Sequence, residues 1–110
     1  MPLGNHVKLL DAVTTGTSGV VGNNGRGREH VFYIYGAGTV SAGAVQIEEA
    51  HSGSYSGTWD AAASPVTVVS GTVDTVRLTG CYGALRARVS TTVTGAGGNV
   101  SVEYFSNVAE

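Results

Sequence analysis

Residues 72–105 read TVDTVRLT-GCYG-ALRARVSTTV-TGAG-GNVSVEYF: three runs in which apolar and polar residues alternate, separated by two Gly-containing tetrapeptides. A period of two in segments rich in Val, Thr, Tyr and Phe is the pattern of half-buried strands. Taking both tetrapeptides as four-residue hairpin loops sets Leu78 opposite Leu85 and Val76 opposite Ala87. Across the second loop Val89 then faces Val102 and Ala87 faces Tyr104. All of these apolar residues fall on one side. The other side carries Arg77 opposite Arg86, with Thr75, Arg88 and Glu103 in a row. A one-residue slip would mix the two faces, so the pattern predicts a three-stranded meander with Arg88 paired to Glu103. Two arginines directly opposite each other repel unless an anion lies near, which makes an acidic surface on another protein a candidate partner.

Working outward, His30–Tyr35 (HVFYIY) is apolar on both faces and is expected to be a central strand. Thr39–Glu49 alternates as Val40, Ala42, Ala44 and then shifts phase to Val45, Ile47, which predicts a β-bulge beside Gly43. His51–Gly57 is a polar loop, and Trp59 just beyond it is expected to plug the core. Val66–Val69, opened by Pro65, is a short strand, and residues 6–13 (HVKLLDAV) make a first strand. Between Thr14 and Arg28 lie five glycines and one apolar pair, Val20–Val21. This Gly-rich stretch buries too little by itself to offset its ordering entropy, so it is expected to be mobile or ordered by a partner. The reading is all-β: a small antiparallel β-sandwich or jelly-roll-like barrel with a Gly-rich N-terminal arm or loop. One domain spans 1–110, with the strand and arm in 1–28 and the main sandwich in 29–110.

Composition narrows the functional classes. The chain has 110 residues, a formal charge of −2, six basic residues and 13% charged residues. That balance argues against a nucleic-acid partner, which needs a strong basic field. No apolar run approaches a membrane helix, so no membrane partner is expected, and the opening MPLGNHVKLLDAV carries no expected export signal. The single cysteine, Cys81, provides no internal staple, so stability is expected from packing or from neighbouring chains.

Motifs that imitate chemistry fail on spacing. Gly36-Ala37-Gly38-Thr39-Val40-Ser41 follows a strand like a dinucleotide fingerprint, but Ser41 replaces the third glycine and no helix follows. His6, His30, His51 and Cys81 show no metal-ligand spacing, and no nucleophile elbow is present. Asn99-Val100-Ser101 matches a glycosylation acceptor without an export context. No enzyme, cofactor or metal is expected.

Two longer stretches carry a resemblance. Residues 40–63, VSAGAVQIEEAHSGSYSGTWDAAA, and 76–107, VRLTGCYGALRARVSTTVTGAGGNVSVEYFSN, resemble small β-sandwich virion proteins of tailed bacteriophages. The strand "S-A-x-V-Q-I-E" leading to a Trp, and "Y-x-x-L-R-A-R-V" before a Gly-rich turn, carry it, and LLDAVTTGTSGVV is similar to their opening. The loop here lacks the Asp-Gly often found before the Trp, so no ligand-binding role is carried over to it. The resemblance implies a capsid cement or decoration protein on the outer capsid surface of a virion. Its partners would be the major capsid protein and further copies of itself, as a trimer or dimer. A tail or head–tail connector component is the alternative within that group. A carbohydrate-binding module stacking sugars on Trp59, Tyr55 and Tyr82 is the alternative outside it. The expected contact residues are Leu3, Val7, Leu9 and Leu10 between copies. Arg26, Arg28, Arg77 and Arg86 are expected to meet carboxylates, which arginine binds in bidentate fashion.

Overall fold

Strand β2 (Glu29–Ala37) lies between β8 (Asn99–Asn107) and β6 (Val73–Thr79), as a run apolar on both faces should. With β1 (Gly4–Val13) on the far side of β8, these form a four-stranded antiparallel sheet in the order β1-β8-β2-β6. The second sheet is built on β3 (Ala42–Ala50), which pairs with β7 (Ala84–Thr94) on one side. On its other side β3 takes the two-residue strands β4 (Asp60–Ala61) and β5 (Val66–Thr67). This computed structural model describes residues 4–21 and 29–107, and no helix occurs among them. Leu3, Arg26 and Arg28, expected above to make contacts, lie outside the described residues.

The two sheets pack face to face as a β-sandwich. The core between them holds Phe32, Ile34, Val100, Val102 and Tyr104 from the first sheet and Val45, Ile47, Leu85, Ala87 and Val89 from the second. Residues 14–21 line the outer edge of β7. Bridges join Thr17 to Arg88 and Val21 to Leu85, and Ser18 N–H and Val21 N–H donate to the carbonyls of Ala87 and Leu85. The expected Gly-rich arm is corrected over this span: it is ordered by the chain's own β7, and Val21 joins the core. The antiparallel pairs run β1–β8, 14–21–β7, β2–β6 and β3–β4/β5, alternating between sheets from the chain ends to its middle. A ribbon of pairs wound in this way is a jelly roll.

The expected meander is therefore wrong in its pairing, though right about which residues face inward. Strand β6 pairs with β2, β7 with β3, and β8 with β1 and β2. Residues 80–83 and 95–98 cross from one sheet to the other rather than closing hairpins. Arg77 lies opposite Val31 and Arg86 opposite Glu48, so the two arginines are on opposite outer faces. Arg88 and Glu103 are likewise in different sheets and make no pair. Thr75 and Glu103 do share a row, but Tyr33 stands between them. The predicted bulge is present: register with β7 shifts on both sides of Ala44. Gly43 has φ of 154°, and a Cβ there would lie 2.8 Å from Val93 Cγ2. Only glycine fits that close approach without strain.

Candidate interaction surfaces

The outer face of the second sheet is a charged network. Glu48 and Arg86 are directly opposite on β3 and β7, and Arg88 lies two residues along the same face. Arg86 Nε donates to Glu48 Oε1 at 2.9 Å and Arg88 Nε to Oε2 at 2.8 Å, leaving the Glu48 side chain 6% exposed. Two guanidinium groups on one carboxylate leave the triad with a net positive charge. The Arg86 guanidinium also sits 4.1 Å from the centre of the Trp59 ring, a cation–π contact. Trp59 Nε1–H donates to the carbonyl of Tyr55 at 3.0 Å. Trp59 is thus buried, as expected, but apart from the main cluster between the sheets: it packs on the outer face, under an outward-pointing arginine. At 5% exposure its ring has no free face for a sugar to stack on.

The outer face of the first sheet differs in kind. By register its rows read His6, Phe105, Val31, Arg77; then Lys8, Glu103, Tyr33, Thr75; then Ser101, Tyr35, Val73. An outward sandwich face is ordinarily polar. Here aromatic and aliphatic side chains occupy its middle. His6 stacks on Phe105 with ring centres 4.2 Å apart, and Phe105 meets Tyr33 edge-on at 5.4 Å. Glu103 is the one anion of that middle, and it is locally satisfied: Tyr35 Oη–H donates to Oε2, and His6 Nε2 lies 2.7 Å from Oε1. The hydrogen bond from Tyr35 first, and that from His6 second, hold the Glu103 carboxyl below its usual range. The same bond raises the Tyr35 phenol. Phe105 is 37% exposed and Val73 57%.

A third polar group lies inside, at one end of the sandwich. His30 is fully buried, with Nε2–H donating to the Gly80 carbonyl at 3.2 Å and Nδ1 accepting from Tyr104 Oη–H at 2.6 Å. That arrangement uses the neutral ring, and burial lowers the His30 pKa accordingly. Burial also raises the Tyr104 phenol. The pair anchors the crossing loop that carries Cys81, which is exposed and unpaired. Among the described residues no three His, Cys, Asp or Glu side chains gather as a metal site requires.

The residues singled out in the sequence are scattered. Val7 is exposed on β1, Leu9 is half-buried beside a bulge, and Leu10 belongs to the chain's own core. Arg77 and Arg86 are on opposite sides of the sandwich. The row of Val31, Tyr33 and Tyr35 is visible in the sequence as the second apolar face of HVFYIY. Its meaning is not, because a central strand in a two-sheet sandwich has only one face against the other sheet.

No protein-family model and no curated protein sequence matches this chain. A solved chain from Bacillus endospore appendages, reported to form "a novel family of disulfide-linked pili", is similar in fold, with a TM-score of 0.54. The match covers 100% of this chain and 88% of that one at 10% identity, a likeness of fold alone.

Proposed function

We propose that this chain is a non-enzymatic structural protein that docks on a larger protein assembly, in its specific form a cement protein on the outer shell of a phage capsid. The observation that carries the reading is the contrast between the two outer faces: one dominated by the Glu48–Arg86–Arg88 network, the other by aromatic and aliphatic side chains around a single satisfied carboxylate. Strands about 4.8 Å apart, bearing three rows about 6.8 Å apart, give that open face roughly 400 Å². That area includes the polar rim; its apolar part is formed by Val31, Tyr33, Tyr35, Val73 and Phe105. A stable free-standing interface needs about 800 Å² per partner. One such contact is therefore weak alone and becomes effective when copies joined to one another bind the shell together. Arg77, at one edge of the face and without an ion-pair partner among the described residues, favours a partner whose apolar patch carries a carboxylate at its rim.

A self-assembling appendage subunit is the second reading, favoured by the fold likeness to a pilus-forming chain. The sequence holds one cysteine, so a disulfide can join two copies but cannot link a polymer of them. Quantitative mass spectrometry of purified particles tests the first reading. A copy number of the same order as the major shell protein is expected. A copy number of a single ring, or fibres formed by the isolated chain, would replace it with the tail or pilus alternative.

A further inference from the structure

Strand β6 ends the first sheet. It pairs with β2 on one side and, among the described residues, with nothing on the other. At the opposite end of that sheet β1 is blunted: two register shifts bend it, and the Lys8–Asp11 ion pair lies along it. Strand β6 has no such bend, and Val73–Thr79 stay in unbroken register with β2. Its charges are also unmatched. Arg77 on the outer side and Asp74 on the core side, opposite Ile34, form no ion pair or hydrogen bond among the described residues. The charged groups of β1, β7 and β8 are all paired, through Asp11, Glu48 and Glu103. Beneath the edge, Val76 and Leu78 pack on the core yet stay half-exposed. The reason is topological: the strands that face β6 in a jelly roll are β4 and β5, two residues each.

We propose that β6 is an acceptor edge to which an extended segment of a partner protein adds as a fifth strand of the first sheet. The donor's chemistry follows from what β6 lacks. It presents apolar side chains beside Val76 and Leu78, a cation opposite Asp74 on the core side, and a carboxylate opposite Arg77 on the outer side. Main-chain hydrogen bonds supply affinity and the side-chain pattern supplies selection. Asp74 is the selective element, since a strand with an apolar residue there would bury a carboxylate unpaired. A second β6 does not meet the specification. Antiparallel self-pairing about Val76 that keeps the faces matched sets Asp74 opposite Leu78 and Arg77 opposite Thr75. The proposal deepens the docking reading and rests on it for the source of the strand.

The test is a titration of the isotope-labelled full chain with two blocked synthetic peptides. Thr-Val-Glu-Val-Thr-Lys-Val places Glu opposite Arg77 and Lys opposite Asp74 in antiparallel register, and Thr-Val-Lys-Val-Thr-Glu-Val exchanges the charges. The first peptide is expected to shift the backbone amides of Val73–Thr79, and the exchanged one to bind about tenfold more weakly. The variant Asp74→Lys with Arg77→Glu, verified as folded by its spectrum, should reverse that preference. Equal affinity of the two peptides overturns the proposal, as do shifts centred on β1, or none at β6 up to about millimolar peptide. So does sedimentation showing a dimer that the peptide does not dissociate, which would assign the edge to a second copy. Peptide binding by a chain that is absent from every particle would leave the edge intact and refute the docking reading instead.

Discussion

Replacing Glu48 by Ala removes the carboxylate that holds Arg86 and Arg88 together on the outer face of the second sheet. Two charge-assisted hydrogen bonds are lost, each contributing about 1.5–3 kcal/mol when well formed. Against that sum, the Arg88 side chain is 42% exposed and the Arg86 side chain 24%, so both regain water when the partner goes. The two guanidinium groups, two residues apart on one strand face, also repel once the anion is removed. The expected net loss is about 2–3 kcal/mol, below the full penalty of breaking a buried pair because only the glutamate is fully enclosed. For a domain of this length that corresponds to a fall in Tm of about 8–12 °C. Urea unfolding should show a lower midpoint at unchanged slope, the signature of lost stability rather than altered compactness. Glu48→Ala combined with Arg88→Ala should lose less than the sum of the two single changes, because the second removes a charge the first left unpaired. Stability of Glu48→Ala within about 0.5 kcal/mol of the parent would refute the reasoning that the two charge-assisted bonds contribute to stability.

Gly43→Ala should destabilise by about 1–3 kcal/mol, since the new Cβ meets Val93 in a backbone conformation that side chains rarely adopt; a thermal melt unchanged from the parent would remove the steric argument. The lowered pKa of His30 makes the unfolded chain bind more protons as pH falls through its ordinary value of 6.5. Stability is then full above that value and declines below it, so the urea midpoint should drop as pH falls through about 6.5, and a flat profile would contradict the buried neutral ring. At lower pH the depressed Glu103 carboxyl adds a further loss as it is protonated. Val73→Ser on the open face should leave stability within about 0.5 kcal/mol and reduce occupancy on particles; equal occupancy would exclude Val73 from the docking face.

The inward and outward sides of the strands are legible in the sequence, but their neighbours are not. Alternation in 72–105 places Val76, Leu78, Leu85, Ala87, Val89, Val102 and Tyr104 toward the core, as they are. A period of two reports the face alone, and any partner in either sheet satisfies it. The tetrapeptide GCYG has a hairpin's length, yet β6 and β7 part there, β6 pairing with β2 and β7 with β3. The bulge is visible because Gly43 and the phase shift are local. The pairing of Arg86 with Glu48, 38 residues apart, is not, nor is the covering of Trp59 by that arginine. Arg88 reads as a partner of Glu103 only while the sheet assignment is missing. Where the arm docks is hidden for the same reason: Thr14–Val21 is too poor in apolar residues to order itself, and only the fold brings the free edge of β7 beside it.

The central claim is that the aromatic face of the first sheet is covered in a protein assembly, while the opposite, ion-paired face points to solvent. Electron cryomicroscopy of intact particles containing the chain tests it most directly. The expected density is a jelly roll whose Val31, Tyr33, Tyr35, Val73 and Phe105 are within contact distance of the underlying shell, with Trp59 and Arg86 on the solvent side. A map in which Phe105 and Val73 face solvent and the Glu48–Arg86–Arg88 network meets the shell would contradict it.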